Sequence, residues 1–526
     1  MSPILKPGRN CWDIQDVVES GLLIDGRDYY REFYRAAKKA RHYILISGWQ
    51  FDSEVKLLRG DDEQMADGDV RFIDFLNSLC ERNPELNIYI LAWDFSFIFM
   101  LEREWLQEWI FGWEANERIH FYFDSSHPIG ASQHQKFVVV DGCIAFIGGM
   151  DICAHRWDDR EHRTEDPERV DTDGTPYTPY HDVQAYVTGP IVEQLNEIFK
   201  ARWLRTTGDI LRLPPSLNTY ITDIRPSVVI NAKKAAFSRT QAKTLTALQH
   251  DIKEIHRLYT NAINAAEHLI YIENQYFSSQ AVFKALVNRM RSSYRPLLQI
   301  ILMLPKEPQA FLEKIAVGYS QVKLLRSLKE IAKNTGHALG IYYPAPSTEN
   351  GNTTPVYIHS KVLIVDDRFL CVGSANTTNR SLGLDAELNI SWEALTEDDQ
   401  ALIRSIREVR AALLADHTAT TGDQLYRIDG VVDFLNQLAD NPRNRLRYNE
   451  LENVFDNNKL LKNIWPDSLI FDFDPDRPLL EEDIHEILSS DKNSIFAGGI
   501  TLLKKWLSGK QEQPAGPQES SDRREP

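Results

Sequence analysis

The segment SQHQKFVVVDG at residues 132–142 recurs as YIHSKVLIVDD at 357–367. His134, Lys136 and Asp141 return as His359, Lys361 and Asp366, each at an offset of 225. Gly148 and Gly373 keep that offset, as do Asp151 and Asn376. Upstream, YILISGWQF (43–51) aligns with LIYIENQYF (269–277) at 226. One register held across looser intervening sequence marks a duplicated unit. The chain must therefore build one domain twice, and its repeated polar residues must serve both copies.

Within each copy, β-branched and aromatic runs alternate with longer amphipathic stretches. RHYILISGWQF, NIYILAW, KFVVVDGCIAFIG and LLQIILML read as strands. RDYYREFYRAAKKA, DVRFIDFLNSLCERN, LYTNAINAAEHL and EKIAVGYSQVKLLRSLKEIAKNTG read as helices, the last stopped by a Gly. That alternation predicts an α/β fold of two tandem, homologous α/β sandwich domains forming a pseudo-dimer. The halves are placed at 1–215 and 216–416, joined through the Pro- and Thr-rich connector near 205–240. A mainly helical extension is expected over 417–508, its acidic run read as a solvated face, and a disordered polar tail over 509–526.

On a strand, residues i and i+2 share a face, so His134 projects with Lys136 and His359 with Lys361. Asp141 and Asp366 fall where each strand should turn, VVVDGCIAFIG reading as an Asp-Gly hairpin. Their odd spacing takes them off the His/Lys face, which suits holding the turn or neighbouring cations better than moving protons. Gly148-Gly149 and Gly373-Ser374 let the backbone approach a bound group closely, and Asp151 and Asn376 follow where they could orient it. Brought face to face, the two copies offer two imidazoles, two ammonium groups and an amide. That set suits a tetrahedral anion. One imidazole can attack phosphorus while the other protonates the leaving oxygen. Lysine charge removes the need for a metal or other cofactor, and none is expected.

These residues match the signature H-x-K-x4-D-x6-G-(G/S), and the chain resembles the phospholipase D superfamily over roughly residues 5–416. GGMDICAHRWDDREH (148–162), YHDV (180–183, with Tyr180 where that family has Trp), YIENQYF (271–277) and DAELNI (385–390) are similar to blocks of the eukaryotic-type phospholipases. The resemblance implies a covalent phosphohistidine and a catalytic set of His134, Lys136, Asp141, His359, Lys361 and Asp366. It makes His134 the nucleophile and His359 the acid and base, the pseudo-symmetry leaving the reverse order physically open. Asp182 and Glu387 would orient the imidazoles through Nδ1, with Asp385 competing for Glu387's place; Asn376, Ser374, Gly149 and Asp151 complete the supporting set. His155, His162 and His181 are read as structural. The implied reaction is hydrolysis or transphosphatidylation of glycerophospholipids, with water or a primary alcohol as acceptor. The alternatives are a cardiolipin synthase-like phosphatidyltransferase and, less well matched, a nuclease of the same superfamily.

Composition narrows these choices. A net charge of −17 over 526 residues repels nucleic-acid phosphates, so no nucleic-acid partner is expected. Cys11, Cys80, Cys143, Cys153 and Cys371 are odd in number and scattered, without a CxxC pair, and read as free thiols of a reducing compartment. The start of the chain resembles no signal peptide, and no apolar run reaches membrane-span length. A cytoplasmic protein with peripheral membrane contact is expected, leaderless secretion being left open. Because one chain supplies both halves of a site, a monomer is expected. Eight aromatics in residues 93–113 suit either a membrane-contact surface or a buried helix and strand, and the second reading is preferred.

Overall fold

The computed structural model describes residues 2–94, 115–128, 130–216, 223–243, 250–307, 311–348, 351–396, 399–450 and 474–478. Most of the aromatic run, most of the C-terminal extension and the polar tail lie outside the described residues. Residues Met1–Arg477 form one compact unit and Pro478–Pro526 a second.

Two sheets carry the duplication. The first runs Val228–Val229, Ser20–Ile24, Val183–Thr188, Ile144–Gly148, Phe137–Val140, Tyr43–Gly48, Asn87–Trp93, Ile119–Asp124. The second runs Ile14–Asp16, Lys234–Gln241, Glu387–Glu393, Phe369–Gly373, Val362–Val365, Leu269–Glu273, Gln299–Met303, Ala338–Pro344, Leu446–Tyr448, with Ile252–Lys253 on its margin. Past the first strand of each, the two sheets share one order. In both, three parallel strands join an antiparallel set, the hairpin Phe137–Val140/Ile144–Gly148 matching Val362–Val365/Phe369–Gly373. The leading edge strands are exchanged: Ile14 pairs with Ala236 on the second sheet, and Val228 with Leu22 on the first. The extension, read as helical, contributes the helix Val431–Asp440 and also a strand, Leu446–Tyr448, on the edge of the second sheet.

Strict alternation explains why the strands are apolar on both faces. Leu45, Val139 and Ile364 point into a core shared by both halves. Ile44, Ile46, Val138 and Val140 point instead at the helices of the first half, and Ile270, Ile272, Leu363 and Val365 at those of the second. The helix Asp25–Ala37 meets its sheet through Tyr29, Tyr30, Phe33 and Ala37, one stripe at helical spacing. All five cysteines are buried and unbridged. Among the described residues no helix is long and apolar enough to cross a membrane.

The hairpin turns explain the repeated aspartates. Asp141 and Gly142 adopt φ of 51° and 64°, closed by Cys143 N–H donating to Val140 O at 2.9 Å. The Asp141 carboxylate accepts the backbone N–H groups of Arg41, His42 and Tyr43; Asp366 accepts those of Glu267, His268 and Leu269. Each thus ties its turn to the chain entering the neighbouring strand. In the second copy Asp367 replaces the glycine, at φ 51°. Its buried carboxylate receives Arg410 of the helix Gln400–Thr418 through two hydrogen bonds of 2.7 and 2.8 Å. Asp367→Ala strands that guanidinium in the core. A loss of about 3–5 kcal/mol in urea unfolding is expected, since removing one partner leaves an uncompensated charge.

Candidate active site

His134 and His359 are not inside sheet strands, contrary to the expectation from spacing. Each lies in an extended segment just before one, the strands beginning at Phe137 and Val362. There the backbone leaves its own sheet and pairs across the seam between the halves. His134 N–H donates to Ala386 O at 2.9 Å, and Ala386 N–H to Ser132 O at 2.9 Å. On the opposite side His359 N–H donates to His181 O at 2.8 Å, and Tyr357 N–H to Pro179 O at 2.8 Å. Each H-x-K segment therefore runs parallel to the segment that leads into the other half's carboxylate, Glu387 or Asp182. A polar pair that would disrupt a doubly buried strand is accommodated where two sheets meet.

The side chains cross in the same sense. His134 Nδ1 lies 3.0 Å from Glu387 Oε2, and His359 Nδ1 lies 2.6 Å from Asp182 Oδ2. Both acids are fully buried, whereas the imidazoles keep 16% and 11% of their surface. A carboxylate on Nδ1 fixes the tautomer and leaves Nε2 as the reactive nitrogen. Each acid also sits against a small residue of its own half. A Cβ on Gly149 would lie 2.5 Å from Asp182 Oδ1, and the Ser374 hydroxyl donates to Glu387 Oε2. Asp385 is engaged elsewhere, by Ser132 N–H at 2.8 Å and by Arg380, which leaves Glu387 as the partner of His134.

Lys136 is buried and pairs with Asp151 Oδ2 at 3.1 Å, misaligned for a hydrogen bond; Asp151 also accepts Trp49 N–H at 2.8 Å. Lys361 is fully buried and donates to His359 O and to Gln275 Oε1 at 3.3 Å. Asn376 is buried with its Oδ1 unpartnered. The hydrogen bonds of Asp141 and Asp366 all go to the turn-side amides described above, so these two stay outside the group the fold assembles around the imidazoles.

Charge is unevenly stabilised here. Burial, reinforced by Lys136 and Lys361, holds His134 well below the usual imidazole range. His359 is lowered likewise, by burial first, then Lys361, Arg156 and Lys136, with His134 itself among the contributors. Each imidazole thus feels the lysine of the opposite half. Lys361 is pushed down to about 7 by desolvation, Asp182 opposing and Lys136 adding to the shift. Burial raises Glu387 and Asp182. Without an anion, the cleft resists holding an imidazolium.

Beneath the pair lies a polar layer that the sequence did not reveal. Glu273 accepts from Ser360 Oγ at 2.6 Å, contacts His181 Nε2 at 3.1 Å, and contacts His417 Nε2 at 2.6 Å. His162 Nδ1 contacts Asp158 Oδ2 at 2.9 Å. Glu273 was visible as an acid ending an apolar strand in a repeated block, and His181 as the neighbour of Asp182; His417 carried no local signal.

Residues 120–290 match the family described as Phospholipase D, and residues 259–407 the family described as Cardiolipin synthase, PLD-like domain. Phospholipase D A of Dictyostelium discoideum is 25% identical over 70% of this chain and 32% of its own length. Phospholipase D alpha 1 of Carica papaya is 23% identical over 67% of this chain and 58% of its own. This chain therefore spans between about a third and three fifths of those two relatives. The phosphatidylserine synthase of Haemophilus influenzae Rd KW20 superposes with a TM-score of 0.49 at 11% identity, covering 81% of this chain and 94% of that one.

Proposed function

Taking as premise that the chain belongs to the phospholipase D superfamily, we propose that it cleaves or exchanges the head group of glycerophospholipids through a phosphohistidine. The observation that carries this reading is the crossed pairing of two imidazoles with two buried carboxylates at one seam. His134 Nε2 attacks phosphorus as the bond to the head-group oxygen breaks, and that oxygen takes the proton held by His359. Lys136, Lys361 and Asn376 balance charge on the non-bridging oxygens. His359 then draws a proton from water or a primary alcohol, whose oxygen attacks phosphorus while the nitrogen–phosphorus bond breaks. The products are the head-group alcohol and phosphatidate or a phosphatidyl-alcohol. Because the bare cleft disfavours an imidazolium, the arriving phosphate is what stabilises the proton on His359.

Mixed phospholipid vesicles with a primary alcohol test this directly. The expected result is free head group plus phosphatidyl-alcohol, with single-stranded DNA left intact in parallel. DNA cleavage without lipid turnover would overturn it. The match of residues 259–407 to a cardiolipin synthase description favours one further arm, a phosphatidylglycerol acceptor, in which a diphosphatidyl product marks a transferase. We place the protein at the cytoplasmic surface of a membrane as a monomer, since one chain supplies both imidazoles.

The lysine near neutrality gives this reading a pH signature. Above about pH 7 the free enzyme loses the Lys361 charge, so kcat/KM should fall on the alkaline side. Bound phosphate returns that proton, so the alkaline limb of kcat should lie higher. The stability sign runs the other way. The depressed folded pKa destabilises the fold below about 7, and the penalty is relieved as pH rises toward the ordinary lysine value. Coincident alkaline limbs for kcat/KM and kcat would remove Lys361 from phosphate binding.

A further inference from the structure

Below the cleft, three buried donor atoms converge from separate parts of the first half. They are Asp25 Oδ2 at the start of the helix Asp25–Ala37, His162 Nε2 in the long loop after Gly149, and His181 Nδ1 just before Asp182. One ligand atom from each of the three residues lies within 4.8 Å of the other two, and His162 Nε2 is 3.3 Å from Asp25 Oδ2. Tetrahedral zinc, with bonds of about 2.0–2.1 Å, places its ligand atoms roughly 3.3 Å apart. Asp25, His162 and His181 are fully buried, and none of these three atoms has a hydrogen-bond partner. His181 Nδ1 also lies 2.9 Å from the other Asp25 oxygen, an ion-pair contact that a bound metal would replace.

The surroundings are those of a metal centre. Each imidazole presents its second nitrogen to a carboxylate, His162 Nδ1 to Asp158 at 2.9 Å and His181 Nε2 to Glu273 at 3.1 Å. Metal-bound histidines are oriented in this way. Asp158 is itself neutralised by Arg169 at 3.0 Å. Among the described residues Asp25 and Glu273 have no lysine or arginine ion pair; their partners are imidazoles, His162 and His181 for Asp25 and His181 and His417 for Glu273. Asp25 and His162 are also held at φ 68° and 45°, a conformation residues with a Cβ rarely adopt.

We propose that Asp25 Oδ2, His162 Nε2 and His181 Nδ1 bind one divalent transition-metal ion, zinc by their ligand chemistry, with water completing the tetrahedron. The ion fastens the loop after Gly149 and the first helix beneath Asp182, and so sets the position of the acid that holds His359. It takes no part in phosphoryl transfer. Cysteine spacing could not reveal it, because the site uses none.

Elemental analysis of protein purified without chelator should find about one zinc per chain. Asp25→Asn and His162→Gln should lose it, whereas His155→Gln, at an exposed histidine, should keep it. Glu273→Gln, which changes the carboxylate behind His181 together with its contacts to Ser360 and His417, should weaken zinc binding roughly 10–100-fold. Should the ligand variants fail to fold, wild-type protein stripped by chelator and titrated with cobalt(II) supplies the decisive readout. A visible d–d band saturating at one equivalent supports the site. No metal in the purified protein together with no cobalt uptake overturns it, as does zinc retained in both folded ligand variants.

Discussion

His134→Gln is expected to abolish head-group release, by at least about four orders of magnitude in kcat, because no covalent intermediate can form without the attacking nitrogen. His359→Gln should be as damaging toward a natural phospholipid, since the alkoxide leaves unprotonated. A substrate with a nitrophenol leaving group separates the two. Nitrophenolate departs without a proton, so His359→Gln should give a stoichiometric burst and accumulate a phosphorylated chain, with the phosphate on residue 134. His134→Gln should give no burst at all. A burst from the His134 variant, silent in the His359 variant, would reverse the two roles that the pseudo-symmetry makes interchangeable.

The crossed carboxylates predict losses nearly as large. Asp182→Asn and Glu387→Gln keep shape and burial but offer Nδ1 an amide, which cannot stabilise the developing imidazolium. Losses of about 10²–10⁴ in kcat are expected for each, by analogy with the aspartate of a serine-protease triad. The two should differ in kind. Asp182 serves His359, so its variant should recover much of its rate in the nitrophenol burst; Glu387 serves His134, so its variant should not. Equal behaviour in the burst would mean that the acids only hold the fold together.

The duplicated motif made the two imidazoles, the two lysines and the hairpin turns legible, because each is announced by spacing within a dozen residues. Asp141 and Asp366 could be set aside from proton transfer on parity alone, and their bonds to three amides apiece give the physical content of that reading. Long-range pairing was not legible. Nothing in the local pattern says that Ile14–Asp16 crosses to the second sheet, or that Leu446–Tyr448 closes its far edge. Short edge strands carry too few residues for alternation to register. The departure of His134 and His359 from their sheets was equally hidden. Apolar sequence on one side of each H-x-K suggested a continuous strand, and only the backbone bonds to Ala386 and His181 show where the chain turns away. The buried layer around Glu273 joins residues from 25 to 417, a spread over which sequence offers no periodicity to read.

The crossing has a consequence for how such a chain is made. His134 leaves the ribosome 253 residues ahead of Glu387, the group that aims it. Throughout that interval the nascent polypeptide carries the His134 imidazole without the acid that fixes its tautomer. On the proposed reading, the chain thus stays inert during its own synthesis and becomes competent only when the second sheet docks against the first.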